Sequence, residues 1–143
     1  MKTCLLQRDN WDLCLTSDGN IAVASEPYSI AQDVASAIRT FQGECFYDTT
    51  LGIPYWTNVL GQYPSRGYLE SQFIAAAETV PGVVSATCSI TGTQGRAIVG
   101  TVQVKDTAGN VTSVAITGQP APRSLATPDG TPLSIGGLET IRV

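Results

Sequence analysis

The chain of 143 residues contains no histidine, and this absence removes the commonest general base and the commonest metal ligand. A Ser-His-Asp or Cys-His catalytic arrangement therefore cannot be built from its own residues. The sequence also lacks the phosphate-loop and dinucleotide-binding fingerprints and the cysteine spacing of zinc sites. The chemistry open to this chain is narrow, and we expect no cofactor and no metal.

Basic runs and long apolar runs are missing as well. With 8 basic and 12 acidic residues the net charge is −4, so binding to nucleic acid or to an anionic membrane has no electrostatic support. The longest apolar stretches, such as residues 74–77, are far shorter than a membrane span. The first residues hold only a two-leucine apolar patch and do not resemble a signal peptide, so we expect a protein made and kept in a cytoplasm.

The four cysteines are Cys4, Cys14, Cys45 and Cys88, and their spacings of 10, 31 and 43 residues match no Cys-x-x-Cys pattern. In a reducing compartment such residues usually act as small hydrophobic side chains. We therefore expect free thiols, with a disulfide as the less favoured alternative.

The chain is long enough for one domain with a real core, and it opens with strand-like segments. Residues 11–16 and 21–25 alternate between apolar and other side chains, as strands do. Asp18-Gly19 between them suits the positive φ angles of a hairpin turn. The apolar face of the first segment consists of Trp11, Leu13 and Leu15. We predict an opening β-hairpin, with residues 2–7 as a further short strand beside it.

Two helices are predicted next. The first covers about residues 30–41 and starts at a capping box formed by Ser29 and Gln32. Its apolar stripe consists of Ile30, Val34, Ile38 and Phe41. The second helix has Ser65 as its N-cap and stops at Pro81-Gly82. The buried stripe predicted for it consists of Leu69, Phe73, Ala76, Ala77 and Val80.

Residues 41–63, which we call the aromatic loop, separate the two helices. This segment holds six of the chain's ten aromatic residues and three glycines, and neither helical nor strand periodicity runs through it. A long aperiodic loop inside a compact domain is either functional or fixed by its own packing. We interpret the aromatic loop as the plug that joins the helices to the sheet.

After residue 82 the sequence becomes rich in β-branched residues, which predicts a three-stranded antiparallel meander over residues 83–91, 97–105 and 111–116. The hairpin, helices and meander make residues 1–117 an α+β domain with its helices on one sheet face. Residues 118–143 instead predict an extended, Pro-rich C-terminal arm. We expect this arm to be mobile in the isolated chain and to pair with a partner's sheet through a segment containing Leu138, Ile141 and Val143.

Glu44 and Asp48 in the aromatic loop are the one pair of acids that suggests catalysis. Glycoside hydrolysis needs two acids that flank the scissile bond, and aromatic faces suit sugars. The interpretation that we favour is structural, with Glu44 capping backbone donors after the first helix and Asp48 forming a turn. No further motif supports an active site, so we assign no catalytic residue and expect no enzyme.

The order of these features resembles a known family. A hairpin leads to a helix that ends Ala37-Ile-Arg-Thr-Phe-Gln-Gly-Glu44, and Tyr47-Asp48 and Gly52 follow. A second helix then leads through Val80-Pro-Gly-Val-Val84 into the meander. The chain is similar to the lysozyme-like baseplate wedge family of contractile-tailed bacteriophages, whose members act as sheath initiators, over roughly residues 10–117.

Two positions depart from the pattern of that family. Many members carry Glu-Pro-Arg after the second helix, where this chain reads Glu78-Thr-Val-Pro-Gly82. Many also carry an arginine after the Gly-Glu pair, where this chain has Cys45. The salt bridges of those arginines are therefore not expected here.

The resemblance implies a structural protein of the virion, placed in the viral tail baseplate and assembled in the host bacterial cytoplasm. Six copies would surround the tail axis and join the baseplate wedge proteins to the first ring of the tail sheath protein, with the tail tube as a further candidate partner. Structural or interface roles are expected for Glu44, Tyr47, Asp48, Gly52, Glu78, Leu138, Ile141 and Val143. Two alternatives stay open: a lysozyme-like glycan-cleaving enzyme, and the equivalent baseplate subunit of a type VI secretion system.

Overall fold

The structure is a computed structural model, and it describes residues 2–7, 10–94, 97–117 and 141–142. The elements of this part follow one another as β1 (Thr3–Cys4), β2 (Val23–Ala24), α1 (Tyr28–Arg39), α2 (Tyr55–Asn58), α3 (Arg66–Glu78), β3 (Val83–Gln94), β4 (Ala97–Asp106), β5 (Val111–Thr117) and β6 (Ile141–Arg142). The predicted α+β class is confirmed, with a hairpin, two long helices and a meander in the expected order. None of the described helices is long and apolar enough to cross a membrane.

The main sheet has the strand order β3-β4-β5-β6. Strands β3, β4 and β5 pair antiparallel with their neighbours, which confirms the predicted meander. The register of β3 against β4 shifts between Ile90 and Gly92, which marks a bulge near the middle of the strand. Strand β6 lies parallel to β5, with Ile141 opposite Val114 and Arg142 opposite Ala115.

Helices α1 and α3 pack against the sheet and against each other. One hydrophobic cluster joins buried residues of both helices with inward-facing residues of β3, β4 and β5. The predicted stripes supply most of the helical part: Ile30, Val34 and Ile38 from α1, and Leu69, Phe73 and Ala77 from α3. Gln103 and Lys105 on β4 alternate with buried Val102 and Val104, so the other sheet face is polar.

The start of α1 differs from the prediction. Pro27 holds the N-cap position and makes no side-chain capping bond, so the capping box predicted for Ser29 and Gln32 is wrong. Ser29 is buried inside the first turn, and the side chain of Gln32 contacts the N-terminal strand instead. Helix α1 therefore begins at Tyr28 and ends at Arg39, two residues earlier at each end than predicted.

The start of α3 agrees with the sequence. Ser65 is the N-cap, and its hydroxyl accepts a hydrogen bond of 3.2 Å from the backbone N–H of Tyr68. Past the C-terminal end of α3, Gly82 has a φ of +95°, a conformation that glycine takes without strain. The four-residue helix α2 inside the aromatic loop was not predicted, since so short an element carries no periodic signal.

The N-terminal region contains three short segments that pair with one another in all three combinations. Strand β1 pairs with β2, Leu6 bridges Leu13, and Leu15 bridges Ile21, each time antiparallel. The turn between the second and third segments closes with a bond of 2.8 Å from Thr16 N–H to the carbonyl of Asn20. The predicted hairpin and its extra strand are thus both present.

Candidate functional site

The aromatic loop is closed at its base by backbone pairing. Phe41 forms a parallel bridge with Ile53, and the N–H of Gln42 donates to the Ile53 carbonyl at 2.9 Å. The N–H of Ile53 donates in turn to the carbonyl of Thr40 at 3.0 Å. Residues 42–52 therefore form a compact loop whose two ends meet at the C-terminal end of α1.

Gly52 makes this closure sterically possible. Its φ is +94°, and a Cβ atom built there would lie 2.6 Å from the carbonyl oxygen of Thr40. Real Cβ atoms essentially never come so close to another heavy atom, so any side chain would push the two ends of the loop apart. The resemblance named Gly52 as a structural residue, and the geometry gives a physical reason for a glycine at this position.

Aromatic rings lie directly beyond the closure. The ring of Phe41 lies 4.7 Å from that of Tyr55 and 5.3 Å from that of Trp56, centroid to centroid. The hydroxyl of Tyr55 donates a hydrogen bond of 2.6 Å to the carbonyl of Ile38, and burial raises the pKa of Tyr55 to about 12. Ile53 is buried in the main core. This side of the loop joins α1 to the core, in line with the interpretation of the loop as a plug.

The outer side of the loop is exposed. Phe46 and Tyr47 protrude as an edge-to-face pair with ring centroids 5.4 Å apart, and both rings are mostly open to solvent. A hydrogen bond with the Cys45 side chain is the main cause that raises the pKa of Tyr47. Beyond α2, a shallow cleft of about 500 Å³ is lined by residues that include Tyr63 and Tyr68. Exposed aromatic residues of this kind are common at protein interfaces.

The two acids of the loop differ in their surroundings. Asp48 Oδ1 accepts hydrogen bonds from the backbone N–H and the hydroxyl of Thr50, at 2.9 Å and 2.6 Å, and these bonds lower the pKa of Asp48. The turn predicted at Asp48 is therefore present. Glu44 is exposed, and none of the described residues donates a hydrogen bond to its carboxylate. The capping role expected of Glu44 is wrong, because the backbone turns here through its own bond from Glu44 N–H to the Phe41 carbonyl.

The remaining predicted site residues do not meet at the loop. Glu78 is exposed at the last position of α3. Ile141 belongs to β6 at the edge of the sheet, whereas Leu138 and Val143 lie outside the described residues. Most of the predicted arm, residues 118–140, also lies outside them. The pairing of the arm was expected with a partner's sheet, whereas Ile141–Arg142 pair with β5 of the same chain.

Two polar residues make long-range hydrogen bonds that the sequence did not predict. Gln32 is 2% exposed; its side-chain oxygen accepts from Leu6 N–H at 2.9 Å, and its amide donates to the Cys4 carbonyl at 2.8 Å. Glu70 accepts from Arg66 Nε at 2.9 Å and from the backbone N–H of Ile90 at 3.0 Å. No local pattern predicts these contacts, because Gln32 and Glu70 each bond a backbone group at least 20 positions away.

The chemistry of the described residues remains sparse. All four cysteines are free thiols, and burial is the main cause that raises the pKa of Cys88 to about 11, far above that of a reactive thiol. Within the described ranges, no three Cys, Asp or Glu side chains gather where a metal ion could bind. Comparison with protein-family models and with curated proteins finds no match to this chain. The candidate sites are therefore surfaces for contact: the exposed side of the aromatic loop and the β5 edge of the sheet.

Proposed function

We propose that this chain is a structural component of a contractile phage tail baseplate and acts as a sheath initiator. In this role it joins the baseplate wedge proteins to the first ring of the tail sheath protein. The proposal rests on the resemblance in sequence order. It is supported by the α+β fold, which has the hairpin, helices and meander that the resemblance implies.

The observation that carries the proposal is the pairing at the edge of the meander. Strand β5 accepts β6 through parallel main-chain pairing at Val114 and Ala115. A segment that adds to one sheet edge can offer the same N–H and C=O groups to the edge of a sheet in another chain. Such pairing needs no reactive side chains, and the described residues of this chain offer few of them. In the assembly the segment at Ile141–Arg142 can pair in this way with a sheet edge of the sheath ring.

The test is sheath assembly on baseplates that carry altered protein. Deleting residues 135–143 should leave the domain folded and stop sheath polymerisation on completed baseplates. Ile141→Pro should have the same effect, because proline cannot donate to a strand ladder and disrupts the pairing with β5. Ser124→Pro, in a stretch that already contains several prolines, is the matched control and should assemble normally.

Electron microscopy of tails and circular dichroism of the purified variants are the two measurements. Sheaths of normal length on the truncated or Ile141→Pro protein would exclude β6 pairing as the route to the sheath. A truncated chain that no longer folds would show instead that the segment belongs to the core of its own domain.

The glycan-cleaving alternative is tested by peptidoglycan release. A general acid in glycoside hydrolysis needs a raised pKa, whereas hydrogen bonds from Thr50 lower the pKa of Asp48. We expect no release by the wild-type protein. Hydrolysis that disappears in Glu44→Gln or Asp48→Asn, but persists in Glu78→Gln, would establish the enzyme and refute the structural proposal.

A further inference from the structure

The N-terminal hairpin has its large and small apolar residues on unexpected faces. Ala22 and Ala24 are buried, whereas the alternating residues Ile21 and Val23 are 55% and 57% exposed. Leu13 and Leu15 on the paired segment are 55% and 68% exposed. Strand-like alternation, together with the bridge between Leu15 and Ile21, places these four side chains on one side of the hairpin. We call this set (Leu13, Leu15, Ile21 and Val23) the aliphatic face.

The sequence placed Trp11, Leu13 and Leu15 on one apolar face of the first segment without showing which side of the hairpin is buried. Of these three residues, only Trp11 packs against the core cluster. The backbone of Trp11 has a positive φ of 59°, and its ring lies 5.1 Å below the guanidinium of Arg39. A strand that is apolar on both faces is normally covered on both. The aliphatic face therefore has the composition of a surface that another element covers.

The hairpin is held firmly enough to present this face. Gln32 of α1 bonds to both Cys4 and Leu6, and the N–H of Leu5 donates to the Ala22 carbonyl at 2.9 Å. The Ala22 N–H donates in turn to the Cys14 carbonyl at 2.9 Å. These bonds fix the third segment from both sides. A partner would therefore meet a preformed surface and would lose little free energy in ordering it.

The size of the face argues against a second copy of this chain as its main occupant. Four aliphatic side chains, each more than half exposed, offer roughly 400 Å² of apolar surface, about half of the roughly 800 Å² that each partner buries in a standard interface. A two-fold dimer through this face alone would fall below that size. A single α-helix, about 10–12 Å across, matches two adjacent strands about 4.8 Å apart with their side chains.

The charge of the hairpin specifies the flanks of such a helix. The described residues up to position 25 carry three charged side chains, all exposed: the basic Lys2 and the acidic Asp12 and Asp18. Because the acids outnumber Lys2, a helix with lysine or arginine beside its apolar stripe would be favoured over one with acidic flanks. We propose that the aliphatic face is a docking site for a basic amphipathic helix of another chain, which covers Leu13, Leu15, Ile21 and Val23 with an i, i+3, i+4, i+7 stripe. This inference concerns a surface separate from the β5 edge and does not depend on the sheath-initiator proposal.

The test is a titration of the full chain with a labelled model peptide, followed by fluorescence anisotropy. The peptide is an 18-residue helix with a leucine stripe flanked by lysines, and a scrambled peptide of the same composition is its control. We expect the wild-type protein to bind the helix, and Leu15→Glu and Ile21→Glu to weaken binding at least tenfold. Val84→Glu is the matched control, since Val84 is a 61% exposed valine on β3, and it should leave binding unchanged.

Four further measurements complete the test. A glutamate-flanked version of the peptide should bind at least fivefold more weakly than the lysine-flanked one. Circular dichroism should show that Leu15→Glu and Ile21→Glu remain folded, and Leu15→Ser, which adds no charge, should weaken binding in the same direction. Light scattering should report a monomer for the wild-type protein.

Several outcomes would overturn the proposal. One is the absence of binding to the lysine-flanked helix, or equal binding of the scrambled peptide. Another is equal weakening of peptide binding by Val84→Glu, which would show that the peptide binds exposed apolar surface in general. A wild-type dimer that Leu15→Glu dissociates would identify a second copy as the occupant and would likewise replace the helix.

Discussion

Glu70 on α3 and Ile90 on β3 are joined by a hydrogen bond of 3.0 Å from a backbone N–H to a carboxylate. Ile90 lies where the register of β3 against β4 shifts, so a backbone group at this bulge has a side chain as its partner. The same carboxylate oxygen accepts from Arg66 one helical turn earlier. The contact thus fixes the helix against an irregular point of the sheet, and a single substitution can test its contribution.

Glu70→Gln should make stability less dependent on pH. The bonds from Ile90 and Arg66 lower the pKa of Glu70, so ionised Glu70 favours the folded state. This contribution is complete above the unfolded-state pKa of about 4.3 and is lost as the pH falls through the lower folded-state pKa. We expect Glu70→Gln to be less stable than the wild type at pH 7 and the difference to shrink below about pH 4.

Urea unfolding at a series of pH values measures this difference. Asp48 and Asp106 also have lowered pKa values, but they are the same in both proteins and cancel in the comparison. Glu78→Gln, at an exposed position on the same helix, is the control and should run parallel to the wild type. A Glu70→Gln curve that is also parallel to the wild type would show that the contact does not contribute to stability.

Gln32→Ala should destabilise the protein by about 1–3 kcal/mol, because it leaves the part-buried Leu6 N–H and Cys4 carbonyl without their partner. Urea unfolding measures the change, and hydrogen exchange at the Leu6 amide should speed up with it. Gln72→Ala, a half-buried glutamine on α3, is the control and should cost well under 1 kcal/mol. Equal effects of the two substitutions would contradict the role assigned to Gln32.

Gly52→Ala should cost about 3 kcal/mol or more, since the strain of a positive φ is added to the clash with the Thr40 carbonyl. Gly61→Ala separates the two causes. Gly61 also has a positive φ, of 73°, but a Cβ there meets nothing within 4 Å. Gly61→Ala should therefore lower the free energy of unfolding by about 1–2 kcal/mol, from backbone strain alone. Thermal or urea unfolding that ranks Gly61→Ala as the worse variant would refute the closure described for residues 40–53.

Asp48→Ala should lower the melting temperature more than Glu44→Ala. Asp48 holds the turn through two hydrogen bonds with Thr50, whereas the Glu44 carboxylate has no donor among the described residues. Glu44→Ala should therefore leave the melting temperature almost unchanged. Differential scanning calorimetry can compare the two variants directly. A marked loss of stability in Glu44→Ala would restore the capping role that the sequence suggested.

Long periodic elements could be predicted from the sequence because their signals are local. The apolar stripe of α1, the N-cap serine of α3 and the β-branched residues of the meander can each be recognised from a few neighbouring residues. The hairpin turn was marked by Asp18-Gly19, and Gly19 indeed has a positive φ of 80°. The fold class follows from the order of these elements.

The contacts between elements could not be predicted in the same way. Gln32 has the spacing of a capping box with Ser29, but its side chain instead accepts a hydrogen bond from the Leu6 N–H, 26 positions away. Alternation in the hairpin reveals two faces without showing which one is buried, and the alanine face lies inward. The pairing of β6 with β5 likewise depends on residues far apart in the chain. Of the candidate site, the structure gives a steric reason for Gly52 and shows the turn at Asp48.

The pairing of Phe41 with Ile53 has a practical consequence for labelling this protein. Because the base of the loop is fixed, lengthening the segment inside it changes only the entropy of closure, by about 0.6 kcal/mol for each doubling. The exposed turn at Phe46-Tyr47 is therefore a position where an epitope or a small fluorescent label can be inserted without disturbing the core. An antibody against such an insert would show, in electron micrographs of phage tails, whether the chain lies at the baseplate as proposed.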